Sequence, residues 1–271
     1  MRDKIYLIGF LLAAGILLYL GRDVIQRSVL VGWGLTFGGT VIVAILVITL
    51  YRFRIELDAS RHELALKEAE LNFALQVQQA LFPRHLPSSG GLEFSAVCIP
   101  ARGISGDYYD VLPLSDSRLV FAIADISGKG ISAAILMANL QALMRAVTPT
   151  TQIPSEVCSR LNEHIHQVTD ASKFATFFYA EWHRNEHCLR YVNAGHNPPF
   201  LLGGNGTQSL NRGGIPLGIL PGWEYEIGEV SLIPGDLLVL YSDGITEAGL
   251  SDGEEFGEKR LISLVTSLRN R

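Results

Sequence analysis

The stretch LVFAIADISGKG, residues 119–130, runs from an apolar segment into an aspartate and then a glycine-flanked turn. An apolar run of this length, bounded by turn residues, reads as a buried strand. A lysine between glycines after such a strand raises the question of a phosphate-binding loop. That loop needs Gly, four residues, then Gly-Lys and Ser or Thr. Here Ile123 stands where the first glycine belongs and Gly130 where the hydroxyl residue belongs, so the pattern fails. GISAA (130–134) also misses the nucleophile elbow: Ala134 replaces the closing glycine, and the order Ser132, His196, Asp243 is not that fold's Ser-Asp-His. Asp125 is left to be explained, as a carboxylate held at a strand end.

Two further aspartates share its setting. Asp107 opens GDYYD and Asp243 closes DLLVLYSDG, each next to a glycine, where backbone can approach an ion closely. Carboxylates converging at strand ends repel one another and stay ionised together only beside cations. Oxygen-only ligation favours hard ions such as Mg²⁺ or Mn²⁺. Two such ions activate water and clamp a phosphoryl oxygen for in-line attack. Asp110 and Asp116 lack the strand-end setting and read as turn or surface residues.

Around these aspartates lie further β-rich runs: LEFSAVCIPA (92–101), DYYDVLPL (107–114), FATFFYAEWH (174–183), CLRYVNA (188–194) and DLLVLYS (236–242). Turn residues separate them, and two helical stretches, 130–147 and 154–169, intervene. Hairpins around a helical pair, without βαβ alternation, indicate an α+β fold of mainly antiparallel sheets covered by helices.

The N-terminal region has a different texture. Residues 5–20 and 29–51 carry no charge. As helices they extend roughly 24 and 35 Å, the second enough to cross a bilayer and the first slightly short. Arg2 and Lys4 precede the first run, and Arg52, Arg54, Arg61 and Lys67 follow the second. Only Arg22 and Arg27 lie between the runs, so the positive-inside bias places both chain ends in the cytoplasm. Residues 52–82 contain no Gly or Pro and read as one long helix. Leu57, Leu64 and Leu71 recur every seven residues, but Glu68 and Gln78 interrupt the neighbouring stripe. That face suits either packing on its own domain or pairing with a second copy. Pro83 and Pro87 close the segment. The expected organisation is a membrane anchor over 1–51, a linker helix over 52–86 and a folded domain over 87–271. A net charge of −5 argues against nucleic acid as a partner. Cys98, Cys158 and Cys188 form no CxxC pair and no disulfide framework.

Five motifs occur in the order SGDYYD (105–110), ADISGKG (124–130), NAGHNPP (193–199), GIPLGI (214–219) and LYSDGITEA (240–248). In this they resemble the SpoIIE/RsbU branch of the metal-dependent PPM protein phosphatases, and QVQQALFPRHLP (76–87) is similar to the helix end preceding that domain. The resemblance implies a layered α-β-β-α sandwich that dephosphorylates phosphoserine or phosphothreonine on a bacterial regulatory protein, such as an anti-sigma factor antagonist, with Mn²⁺ or Mg²⁺. It implies Asp107, Asp125 and Asp243 as metal ligands, with Asp125 bridging two ions and Ile126 offering its carbonyl. The metal-activated water is the nucleophile, without a phosphoenzyme. It further implies a later strand with an Asp-Asp-x-Thr pattern, whose aspartate completes the site. The sequence reaches Arg271 without that strand, and Asp252 sits too early. The expectation is therefore a site short of one ligand, and the alternative is a catalytically impaired, membrane-tethered scaffold that binds the phosphoprotein or its kinase. The setting is the bacterial inner membrane, with two spans, a cytoplasmic domain and a homodimer through the linker helix.

Other residues invite chemistry. His196 reads as a general acid or, preferably, as a residue that orders its turn. His183 and His187 in HRNEH fall on a hairpin turn without a third zinc ligand. His164 and His166, two apart on a helix, point to different faces. Arg102 stands close enough in sequence to contact a substrate phosphate, or is a surface arginine. Tyr108 and Tyr109 alternate across a strand.

Overall fold

The computed structural model describes residues 11–16, 19, 21–22, 29–88, 91–100, 103–170, 172–204, 206–249 and 253–269. The chain separates into two units, Met1–Glu68 and Ala69–Arg271.

In the first unit, most of the 5–20 run lies outside the described residues, although 11–16 are helical. Helix α1 (Val29–Gln79) runs for 51 residues without a break. Its most apolar 18-residue window has a mean hydropathy of 2.1, and none of it is buried. Thr36, Thr40 and Thr49 each donate their hydroxyl to the carbonyl four residues earlier, at 2.8–3.0 Å. A helix surrounded by hydrocarbon needs its polar groups satisfied internally in this way. This helix is long and apolar enough to cross a membrane. Leu57, Leu64 and Leu71 are exposed along it.

The second unit is a four-layer sandwich. The first sheet contains β1 (Tyr108–Ser115), β2 (Arg118–Ile126), β3 (Ala175–His183) and β4 (Cys188–Ala194), joined as consecutive antiparallel neighbours. Helices α2 (Ile131–Val147) and α3 (Pro154–Val168) connect β2 to β3. Strands β5 (Phe200–Gly203) and β6 (Gly206–Ser209) follow and belong to the second sheet. Strands β7 (Gly213–Gly214) and β8 (Gly228–Ser231) both pair with β4, giving six described strands in the first sheet. The second sheet is completed by β9 (Leu237–Val239), giving the order β6-β5-β9. A short helix α4 (Asp243–Thr246) and a terminal helix α5 (Glu258–Arg269) end the chain.

Period-two alternation explains the layering. On β2, Val120, Ala122, Ala124 and Ile126 face α2 and α3, where they meet Met137, Leu140, Met144, Val157 and Leu161. Leu119 and Phe121 face the other way, toward Leu201 and Leu210. Strand β5 shares this double role: Leu201 points to the first sheet, whereas Phe200 and Leu202 meet Tyr241 and Leu261 under α5. The three apolar clusters are thus the three interfaces between four layers, as the α-β-β-α expectation requires. Helix α2 with the 3-10 turn that continues it, Ile131–Thr150, is long and apolar enough to pass as a membrane span, but Met137, Leu140 and Met144 are fully buried in the first of these interfaces.

The two helical stretches and β2 fall where the sequence places them. LEFSAVCIPA does not form the expected strand: residues 93–100 carry no regular structure. Leu92 and Phe94 lie against the inter-sheet core, Phe94 edge-on to Phe121 with centroids 5.6 Å apart, while Val97 and Ile99 stay exposed. The alternation is real, but a strand needs a hydrogen-bonding neighbour, and none of the described strands pairs with this segment. Asp110 also departs from its reading as a turn or surface residue. It lies within β1 and is 1% exposed.

Candidate metal centre

Alternation along β1 and β2 aims the aspartates. Asp125 lies between Ala124 and Ile126, and Asp107 precedes Tyr108; all three neighbours face the helices. Both carboxylates therefore point to the inter-sheet side. Asp243 arrives from the second sheet, four residues past β9, at the start of α4. The three carboxylates lie toward one end of the sandwich, near enough to act on one another's charges.

Their electrostatics show the proximity. Asp125 is pushed up to about 7, first by burial and then by the charges of Asp107 and Asp243, with the hydrogen bond its protonated carboxyl donates to Asp107 and the charge of Glu247 adding to the effect. Asp107 is also raised, chiefly by burial, with Asp243 contributing. Ser242 Oγ donates to Asp107 Oδ2 at 3.2 Å, and the Asp107 amide donates to Ser105 Oγ at 3.0 Å. Among the described residues, no three His, Cys, Asp or Glu side chains are gathered closely enough to hold a metal ion as they stand. The arrangement is a set of mutually repelling carboxylates, one of which takes up a proton near neutral pH.

The chemistry of these donors suits a divalent cation. The donors are oxygens, and the repulsion among them is of the kind a hard cation relieves. Gly106 leaves the needed space: a Cβ there would lie 2.9 Å from the Ile126 carbonyl oxygen and 3.5 Å from Asp125 Oδ1. That puts the Ile126 carbonyl beside the carboxylates. Gly106→Ala is expected to push Asp107 away from Ile126 and weaken Mn²⁺ binding by about tenfold or more, read as the Mn²⁺ concentration that half-raises the melting temperature.

The structure adds residues that sequence reading missed. Gln78, near the end of α1 and 4% exposed, grips the backbone of Ser105: Nε2 donates to its carbonyl at 2.6 Å and Oε1 accepts its N–H at 3.1 Å. Ser105 lies two residues before Asp107. Phe82 continues the attachment, with its ring 5.0 Å from that of Tyr109. The signal was present as a Gln among apolar residues at the helix end (VQQALF). Gln78→Leu keeps the bulk but orphans a half-buried N–H and carbonyl, which costs about 1 kcal/mol or somewhat more. Its expected result is a lower melting temperature together with weaker Mn²⁺ binding; unaltered Mn²⁺ binding would show that the grip does not reach Asp107. Glu247 follows Asp243 by four residues and was legible as its helical neighbour.

Other candidates resolve plainly. His196 is 3% exposed and bonds through Nδ1 to Thr176 Oγ1 at 2.8 Å, whereas Ser132 is exposed on α2. His183 Nε2 lies 2.9 Å from Glu181 Oε1, and His187 packs edge-on against Trp182. His164 pairs with Asn139 and His166 with the Gly218 carbonyl, so the two rings diverge. Tyr108 is buried and Tyr109 half-buried on opposite faces. Arg102 and Asp252 lie outside the described residues.

A four-layer sandwich with carboxylates from both sheets converging at one end has the PP2C-type phosphatase fold. The SiaA-PP2C domain of Pseudomonas aeruginosa shares it with a TM-score of 0.65 at 21% identity, covering 74% of this chain and 82% of that domain. The chain belongs to the SpoIIE family (stage II sporulation protein E), whose model matches residues 115–271. Phosphoserine phosphatase RsbU of Bacillus subtilis is 37% identical over 188 residues, which is 69% of this chain and 56% of RsbU. Protein IcfG of Synechocystis is 31% identical over 227 residues, 73% of this chain and 36% of IcfG. The match thus spans about half or less of the length of these relatives.

Proposed function

We propose that this chain is a membrane-anchored protein phosphatase that hydrolyses phosphoserine or phosphothreonine on a regulatory protein, such as an anti-sigma factor antagonist, with Mn²⁺ or Mg²⁺. The observation that carries this reading is the convergence of Asp107, Asp125 and Asp243 toward one end of the sandwich, with Asp125 pushed up to about 7. Membership in a family that includes a phosphoserine phosphatase supports it.

Asp107, Asp125 and Asp243 would hold the metal, with the Ile126 carbonyl as a neutral fourth donor. When bound, the divalent ions supply activation of water and a clamp on the phosphoryl oxygens. Asp125, coupled to both other carboxylates, takes the central position. Ser242 orients Asp107 by its hydrogen bond, and the Gln78 grip on Ser105 fixes the approach of the same loop. The buried strand ends hold the carboxylates rigidly, so little reorganisation is needed when charge develops on the phosphoryl group.

The exposed apolar surface of α1, including Leu30, Trp33 and Phe37, is the proposed inner-membrane anchor, with the basic residues after position 51 holding the catalytic unit in the cytoplasm. The exposed Leu57, Leu64 and Leu71 stripe is the proposed contact between two copies.

The test is phosphate release from a phosphoserine peptide by the full chain in detergent, with Asp243→Asn alongside. Activity that requires Mn²⁺ or Mg²⁺ and disappears in the variant is expected. A folded protein that releases no phosphate under any metal, yet retains a phosphorylated partner on a column, would replace the enzyme with a scaffold.

A further inference from the structure

Asp107 immediately precedes β1 and Asp125 lies on β2 of the first sheet, and Asp243 follows the second. Their separation therefore depends on how the two sheets are held at this end of the sandwich. His196 stands at that point. It follows β4 and Gly195, whose φ of 68° suits glycine and where a Cβ would lie 2.5 Å from Pro216 Cδ. The His196 N–H donates to Asn193 Oδ1 at 2.7 Å, and Asn193 Nδ2 donates to the Leu210 carbonyl at 3.2 Å. The ring is thus carried on a fixed turn and is 3% exposed.

Two sides of the ring matter. Nδ1 lies 2.8 Å from Thr176 Oγ1. Thr176 is the cross-strand partner of Asp125 in the β2–β3 register, and its hydroxyl lies 3.3 Å from the Asp125 carbonyl oxygen. The β5–β9 register sets Phe200 opposite Val239, so the chain before β5, which carries His196, runs beside the chain after β9, which carries Tyr241 and Asp243; the Tyr241 backbone also opposes the fall of the ring's pKa to about 4 that burial causes. Nε2 is enclosed and has no hydrogen-bond partner among the described residues. An imidazole so enclosed and already engaged is poorly placed to deliver a proton to a leaving group.

We infer that His196 is a positioning residue that ties the Asp125 strand end, through Thr176, to the Tyr241–Asp243 segment and so sets the spacing of carboxylates from two sheets. The inference rests on reading Asp125 and Asp243 as parts of one metal site. It adds to that reading a residue that touches neither metal nor substrate.

The experiment measures Mn²⁺ binding to the full chain in detergent, by the electron paramagnetic resonance signal of free Mn²⁺, together with the pH profile of kcat/KM. Asp125→Asn comes first as a control, because wild type that binds no more Mn²⁺ than this variant would defeat the metal site itself. Given that site, His196→Ala is expected to weaken Mn²⁺ binding by about tenfold or more, the scale of a lost outer-shell contact. Thr176→Val, which keeps the side-chain shape, is expected to weaken it similarly. The double variant should be little worse than either single one, since both cut the same tie. His196→Asn, which can offer an amide group to Thr176, should recover part of the loss. The shape of the pH profile should persist in every variant. Unchanged Mn²⁺ binding in Thr176→Val overturns the inference even if His196→Ala fails to fold. Intact Mn²⁺ binding with loss of one limb of the pH profile in His196→Ala overturns it in favour of a general acid.

Discussion

Asp125→Asn is expected to make the metal-free protein more stable and the enzyme inactive. Asp125 is held near pH 7, well above the unfolded carboxylate value. The folded protein therefore binds its proton more tightly than the unfolded chain does. The stability tied to that proton is fully present below about pH 4 and is lost as pH rises through 7. At pH 8 the wild-type carboxylate is ionised against Asp107 and Asp243, at a cost of about 1–2 kcal/mol once solvent screening of this half-buried group is allowed for. The amide removes that cost. A unit of this size shifts by roughly 2–4 °C per kcal/mol, so the metal-free variant should melt about 3–6 °C above wild type at pH 8 and nearly level with it at pH 4. Mn²⁺ should reverse the ranking. Wild type gains about 2.7 kcal/mol at a hundredfold excess over Kd, and the variant gains little. Phosphatase activity should fall about a thousandfold or more, the scale of several kcal/mol of lost transition-state stabilisation. Calorimetry at both pH values, with and without Mn²⁺, checks each part. A variant that melts below wild type at pH 8 without metal would show that these carboxylates do not strain one another.

The same coupling fixes the direction of the pH dependence of binding. Mn²⁺ must displace the Asp125 proton, so affinity should weaken progressively as pH falls below about 7. Titrations at pH 6 and pH 8 should differ by about tenfold, since one proton is exchanged across that range. Equal affinities at both would mean that Asp125 does not ligate.

Much of this was legible because local and tertiary signals agree. Residues 118–126 alternate between two apolar environments, and their strand places Asp125 at an edge of the core whatever else the chain does. The helices were readable from apolar periodicity, with Pro154 at the first turn of α3. What was illegible depends on pairing across long separations. The segment 92–101 has the pattern of a strand, but a pattern cannot supply a neighbour. Glu181, fully buried, is neutralised by a two-pronged bond from Arg118, which only the β2–β3 register brings to it, and touches His183 two residues on along its own strand. Gln78 and Ser105 are 27 residues apart, and nothing in either sequence neighbourhood announces the other.

Asp110→Ala is expected to have the opposite effect on stability from Asp125→Asn, although both remove an aspartate from the adjacent strands β1 and β2. Asp110 is not repelled by its surroundings. Arg145, from α2, donates to both its oxygens at 2.6 and 2.8 Å, Tyr108 Oη donates at 2.7 Å, and the Val111 N–H donates at 2.9 Å. Alanine leaves the buried Tyr108 hydroxyl and Val111 amide without that acceptor. Arg145 retains partial access to water, with 41% of its side chain exposed, which moderates the loss. Breaking a buried pair typically costs about 3–5 kcal/mol, and the exposed guanidinium brings the expectation here to about 2–4 kcal/mol. Melting should fall by roughly 5–15 °C at that cost, with Mn²⁺ or without it. The pair also ties α2 to β1, three residues beyond Asp107, so the Mn²⁺ requirement of the surviving folded fraction should rise as well. Arg145→Met, which removes the charged partner and leaves the carboxylate buried, should be at least as damaging. The double variant Asp110→Ala with Arg145→Met should recover part of the loss, because neither charge is then left alone. If the double variant is as unstable as the sum of the two, the bridge is not the unit that holds α2 to the metal-bearing strand.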